Sequence, residues 1–173
     1  MPMLHLLRHA KSSWKDDVED HKRQLNRRGR EAAQLVGKHL PNAVGRLDLV
    51  LCSSAARTRE TLNLVLLQFQ PRPPCLIEDA LYLADCDKLL ERLSLIDDRF
   101  LNVLLIGHNP GLHQLAVVLA EPCSPFFGVL ANGKFPTLAR ASFDILTVWS
   151  GLRSRQHRLL DYSTPGSASS RAN

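Results

Sequence analysis

The sequence predicts an α/β fold, a largely parallel sheet with helices on both faces, and three observations carry that expectation. Short apolar runs at 3–7, 47–52 and 102–106 have no polar face, as strands buried on both sides must read. Helical spacing of apolar residues separates these runs. Each run also ends abruptly in polar or charged residues, where a strand would open into a loop. The expected architecture is a three-layer αβα sandwich around a mostly parallel central sheet.

The first strand is expected at Met3 to Leu7, followed by a polar, mixed-charge stretch from Arg8 to Leu25 that reads as a long loop or lid. Asn26 is a plausible N-cap for a helix through Ala33, Val36 and Leu40 that stops before Pro41. Leu47 to Cys52 forms the second strand, and a helix from about Ala55 to Gln68 ends at Pro71, Pro73 and Pro74. Cys75 to Ile77 makes a short strand, Leu89 to Leu95 belongs to a helix, and N-V-L-L-I at 102–106 is the strongest strand signal. Gly107 to Gly111 is a turn, and a helix restarts at Leu112 and runs to Leu119. Ala141 to Trp149 alternates like a later strand, with Trp149 in the core, and Arg158 to Tyr162 adds a last piece. Residues 1–162 are read as one domain, and 163–173, S-T-P-G-S-A-S-S-R-A-N, as a disordered tail.

A chain of 173 residues with 45% hydrophobic and 23% charged residues suits a single core, burying roughly 70% of the unfolded chain's surface without disulfide staples. No apolar run approaches the ~20 residues of a membrane span, and the apolar start is too short for a signal peptide. A soluble cytoplasmic protein is expected, with no membrane partner. The net charge of +5 suits anionic partners without choosing among them. Cys52, Cys75, Cys86 and Cys123 lie far apart, which reads as reduced thiols, most of them buried, rather than disulfides or a zinc site.

In a parallel α/β sheet the ligand lies beyond the carboxyl ends of the strands. Three of those ends carry reactive groups: Arg8-His9, Ser53 to Arg57, and His108. Arg offers a planar fork for phosphate, and a neutral His is a ready nucleophile. Arg57 falls in the opening turn of a helix, where amides and dipole favour an anion, whereas Arg59 points elsewhere. Gly107 and Gly111 flank His108, allowing close approach to an oxyanion. Each signal alone is ordinary; their shared edge gives them weight. Four potential cations would repel unless an anion lay between them, and a dianionic phosphoryl group fits. A phosphate pocket with a histidine nucleophile follows, requiring no metal or cofactor.

The R-H-A at Arg8 to Ala10, the S-S-A-A-R-T-R-E-T segment and G-H-N-P resemble the signature of the histidine phosphatase superfamily, phosphoglycerate-mutase-like branch. R-H-A-K-S-S-W, L-N-R-R-G-R-E-A-A, G-H-N-P-G-L and K-F-P-T-L-A-R-A are more narrowly similar to SixA-type phosphohistidine phosphatases. The resemblance spans about residues 3–160. It implies that His9 is the nucleophile forming a phosphohistidine intermediate, that Arg8 and Arg57 bind phosphoryl oxygens, and that His108 completes the pocket. Larger members of the branch place a general acid after the third strand, which points to Asp79, with Glu78 beside it. SixA-type members resemble one another in lacking a defined acid there, which suits a phosphoramidate whose nitrogen can be protonated before it leaves.

A phosphatase acting on protein phosphohistidine, carried by an acidic partner such as a histidine-containing phosphotransfer domain, is therefore expected. The alternatives are a phosphatase of small phosphate esters or phospho-metabolites, and a non-catalytic binder of phosphoproteins, which would not need a nucleophile. A cysteine phosphatase on Cys52 and Arg57 is a further rival, but C-x-x-x-x-R is one residue short of that loop and holds no glycine. Metal binding is not expected: His5 and His9 on one strand face stand about 13 Å apart. Nucleic acid is not expected either, since the basic runs Arg27-Arg28-Gly29-Arg30 and Arg153-Ser154-Arg155 lack interleaved aromatics. Trp14, in the lid stretch, reads as packing or pocket rim.

Overall fold

The computed structural model describes residues 1–15, 17–152 and 156–166. Six strands form one sheet: β1 (Met3–Arg8), β2 (Leu49–Ser53), β3 (Cys75–Glu78), β4 (Asn102–Gly107), β5 (Arg140–Asp144) and β6 (Arg158–Ser163). Their order is β3-β2-β4-β1-β5-β6. The pairs β3–β2, β2–β4 and β4–β1 are parallel, whereas β5 and β6 close one edge antiparallel. The sheet is mostly parallel, as its apolar runs required.

Alternation along the central strands sorts their side chains into two layers. Leu4, Leu6, Leu49, Leu51, Val103 and Leu105 pack on one face, toward α3 (Cys86–Ser94), α4 (Gly111–Leu119) and Trp149. Leu7, Val50, Cys52, Leu104 and Ile106 pack on the other, toward α1 (Arg27–Val44) and α2 (Ala56–Val65). The short helix α5 (Phe127–Asn132), which apolar spacing did not reveal, adds Leu130 to the first layer.

Helix α1 begins as expected: the Asn26 side chain accepts from the Gly29 amide. It then continues through Pro41 to Val44. One missing amide close to a helix end is tolerated when continuation buries Val44, and the Gly45 amide closes on the Pro41 carbonyl at 2.9 Å with Gly45 at φ +70. Helix α2 ends at Val65, before any proline, because the chain turns at Leu66 to bury Leu66 and Phe69. The strand expected over 141–149 ends at Asp144, and Trp149 sits fully buried in a 3-10 turn, its indole N–H donating to the Phe100 carbonyl at 2.8 Å. β6 runs through Ser163, which pairs with Arg140, so ordered structure passes the expected boundary at 162. Residues 167–173 of the expected tail, and Arg153 to Arg155, lie outside the described residues. The four thiols are free, but of these Cys52 alone is fully buried; Cys75 and Cys86 are half-buried and Cys123 exposed. Among the described residues no helix is long and apolar enough to cross a membrane.

Candidate active site

The register aligns the reactive strand ends. Arg8 pairs with Gly107 and Cys52 with Ile106, which sets His9, His108 and Ser53 side by side at the carboxyl edge of β1, β4 and β2. They open into a cleft of about 790 Å³ lined by Arg8, His9, Arg57 and His108, with Lys11 and Lys134 at its wall. The four residues singled out from strand ends and motifs therefore come together.

His9 is buried and its Nδ1 lies 2.7 Å from the Ala10 carbonyl. A carbonyl can only accept, so Nδ1 carries the proton and Nε2 keeps a free lone pair. Burial lowers its pKa to about 4, with Arg57, Arg8 and Arg23 adding to the effect and the Ala10 carbonyl opposing it. His108 Nε2 lies 2.7 Å from Ser53 Oγ, and burial, then the nearby His9 and Arg57, lowers its pKa to about 3. Both imidazoles are thus uncharged at neutral pH. The four potential cations are therefore two guanidinium groups and two neutral rings.

Arg8 donates from Nη1 to the Phe135 carbonyl at 3.0 Å. Arg57, in the first turn of α2, donates from Nη1 to the Asp20 carbonyl at 2.8 Å and from Nη2 to Asp20 Oδ2 at 3.1 Å. The Nε atoms of both arginines and Nδ1 of His108 are buried with no partner. Buried polar atoms are nearly always satisfied, so these orphans, with Asn109 Oδ1, on residues lining one cleft mark a polar binding place, and the two arginine Nε–H groups suit acceptor oxygens there.

Asp79 is not brought to the cleft. It lies exposed on the 3-10 turn that follows the edge strand β3. Glu78 is held at 2.7 Å through each oxygen by Arg92. The cleft's carboxylate, the single one lining it among the described residues, is Asp20. Its Oδ1 accepts from Arg23 at 3.0 Å, and its Oδ2 accepts from Tyr82 as well as Arg57, at 2.5 and 3.1 Å. The Tyr82 hydrogen bond, followed by the arginines, holds its pKa at about 2. Sequence reasoning missed this residue because its partners lie 37 and 62 positions away in the chain.

The described residues of the stretch 8–25 are strapped down rather than forming a free lid. Ser12 bridges Leu25, and His21 Nε2 lies 2.8 Å from Ser54 Oγ. Trp14 is 79% exposed at the cleft, with the Arg23 guanidinium 3.4 Å from its ring centroid, so it forms rim rather than core. Cys52 faces the core between the sheet and α1–α2, where burial raises its thiol to about 12. It does not line the cleft, which removes the cysteine mechanism. Among the described residues no group of three or more His, Cys, Asp or Glu could hold a metal. His5 is engaged through both nitrogens, with Ser142 at 2.8 Å and Asn102 at 2.9 Å.

The family model of the histidine phosphatase superfamily (branch 1) matches residues 4–82. An uncharacterized protein of Mycobacterium tuberculosis is 31% identical over 161 residues, covering 92% of this chain and 99% of that one. A solved structure from Nakamurella multipartitia, provisionally named phosphohistidine phosphatase SixA, superposes with a TM-score of 0.80 at 27% identity, covering 95% of this chain and 96% of that chain. The same fold, at a TM-score of 0.65 and 14% identity, is found in a mycobacterial glucosyl-3-phosphoglycerate phosphatase, over 95% of this chain and 100% of that chain.

Proposed function

The chain belongs to the histidine phosphatase superfamily, and from that premise we propose that it is a phosphohistidine phosphatase working through a covalent intermediate on His9. The observation that carries the reading is the set of buried, unpartnered nitrogens, the Nε–H donors of Arg8 and Arg57 and Nδ1 of His108, on residues that line the cleft holding the free Nε2 of His9. These donors match oxygens of a transferring phosphoryl group, where preorganised charge contributes most to rate. The lone pair of Nε2 attacks phosphorus as the bond to the leaving group breaks. Water then attacks the phosphoryl group on His9, the new P–N bond breaks, and inorganic phosphate leaves with Nε2 restored.

The leaving group decides the substrate class. An alkoxide needs a proton, and a carboxyl held near pKa 2 is almost fully ionised at pH 7 and cannot give one. An imidazole leaves phosphohistidine as a neutral ring once its other nitrogen has taken a proton from solvent, so the enzyme need not donate one. This favours protein phosphohistidine over sugar or glycerol phosphates. The net charge of +5 and the lysines Lys11 and Lys134 at the cleft wall favour an acidic carrier, such as a histidine-containing phosphotransfer domain.

The test compares a phosphohistidine-bearing protein with glycerol phosphate and an aryl phosphate, wild type beside His9→Ala. Expected is release from phosphohistidine, slight turnover of the alkyl ester, an acid-labile label on wild-type His9 and none on the variant. Faster hydrolysis of the alkyl ester would overturn the substrate assignment. Full activity in His9→Ala would overturn the mechanism.

A further inference from the structure

Arg57 is gripped by one residue at two points. Its Nη1 donates to the Asp20 main-chain carbonyl and its Nη2 to the Asp20 carboxylate, at 2.8 and 3.1 Å. A guanidinium has five N–H groups. With these two taken, the unpartnered Nε–H remains, beside the second hydrogen of Nη2. That adjacent pair is the edge that fits two phosphoryl oxygens. The grip is itself anchored: Tyr82 donates to the same carboxylate oxygen at 2.5 Å, and Arg23 holds the other at 3.0 Å. Arg8 has a single anchor of this kind, the Phe135 carbonyl.

Resting on the phosphatase reading above, we propose that Asp20 is a positioning residue: it turns the Nε edge of Arg57 into the cleft and sets a fixed negative charge beside the phosphoryl site. The two effects pull apart. A fixed carboxylate repels an incoming dianion and so raises KM and weakens oxyanion binding. A fixed guanidinium edge costs no reorganisation when charge redistributes in the transition state, and so raises kcat. A residue that merely stabilised the loop would not separate these quantities.

The test measures tungstate affinity by calorimetry, and kcat and KM on 4-nitrophenyl phosphate, for wild type, Asp20→Asn and Tyr82→Phe. Asn removes the charge and keeps one acceptor oxygen where the carboxylate had two, so it can no longer hold Arg57 and Arg23 together. Expected for Asp20→Asn is tungstate binding tighter by about tenfold with kcat lower by about tenfold. Tyr82→Phe frees the carboxylate without removing its charge, so kcat falls severalfold with tungstate affinity held within about twofold. Parallel loss of tungstate binding and kcat in Asp20→Asn overturns the proposal in favour of plain structural support. So does a kcat that holds or rises. A wild type that neither binds tungstate nor turns over would instead sink the phosphatase reading, and this proposal with it.

Discussion

The rings of His9 and His108 stand 5.3 Å apart between centroids and 57° from coplanar. Two imidazolium ions at that distance would repel strongly in a buried site. Burial resolves the conflict by holding both rings neutral, His9 with a pKa of about 4 and His108 with about 3. The nucleophile is thereby available without a general base to strip it, and the second ring can offer an N–H rather than a charge.

The pH dependence follows with a definite sign. His9 must be unprotonated to attack, so activity should fall as pH drops through about 4, well below the ordinary 6.5. Stability moves in the same direction. His5 and His9 are both lowered to about 4, whereas the unfolded chain protonates them near 6.5. Between those values the unfolded state binds protons the native state refuses, so stability is full above pH 6.5 and is lost as pH falls toward 4. The loss approaches roughly 3 kcal/mol per histidine. Denaturant titrations at pH 7, 5.5 and 4.5 check this, and a flat series would reject it.

Ser53 should set the tautomer of His108. Its Oγ accepts from the Ala55 amide at 3.4 Å, and donating its hydroxyl hydrogen to His108 Nε2 at 2.7 Å uses both its donor and its acceptor capacity. The ring proton then resides on Nδ1, the orphan atom in the cleft. Ser53→Ala should lower kcat by about tenfold or more, and 15N shifts should show His108 moving toward the Nε2–H form. An unchanged tautomer would remove this role.

The parallel half of the fold was legible because a strand buried on both faces is nearly all apolar, as at Val103 to Ile106 and, His5 apart, Leu4 to Leu7. Arg8, His9, Arg57 and His108 were legible because strand ends of a parallel sheet share one edge. Asp20 was not. Its meaning lies in contacts with Arg57 and Tyr82, and within its own stretch it is one acid among mixed charges. The run through Pro41 was hidden for a similar reason, since local chemistry argued for a stop and burial of Val44 outweighed it.

Cys52→Ala separates the cysteine mechanism from the histidine one. The thiol packs among Leu7, Val50 and Ile106 and donates to the Ser53 carbonyl at 3.3 Å. The substitution should cost about 1–2 kcal/mol of stability through a small cavity. Turnover at 25 °C should stay within about twofold of wild type. Loss of activity without loss of stability would contradict the assignment to His9.

Gly111 ties the position of His108 to the segment before α3, in the helical layer that α3 and α4 share. It opens α4 three residues after His108, and a Cβ there would stand 2.0 Å from the Ala84 carbonyl oxygen and 3.2 Å from the Asp85 Cα. Both are backbone atoms, so no side chain can swing aside, and either α4 or the segment before α3 must move. Gly111→Ala should therefore destabilise by about 2–4 kcal/mol. The Leu112 amide donates to the His108 carbonyl at 3.0 Å, so displacement of α4 reaches the cleft directly. Turnover should fall even at temperatures where the variant remains folded. Gly128→Ala is the control: a Cβ there meets nothing within 4 Å, on an exposed face of α5. It should be neutral or stabilising by up to about 1 kcal/mol, the usual gain on replacing a helical glycine. Thermal melts of the two variants, paired with their kcat values, decide the matter; equal stability of both would show that the close approach at Ala84 is readily relaxed.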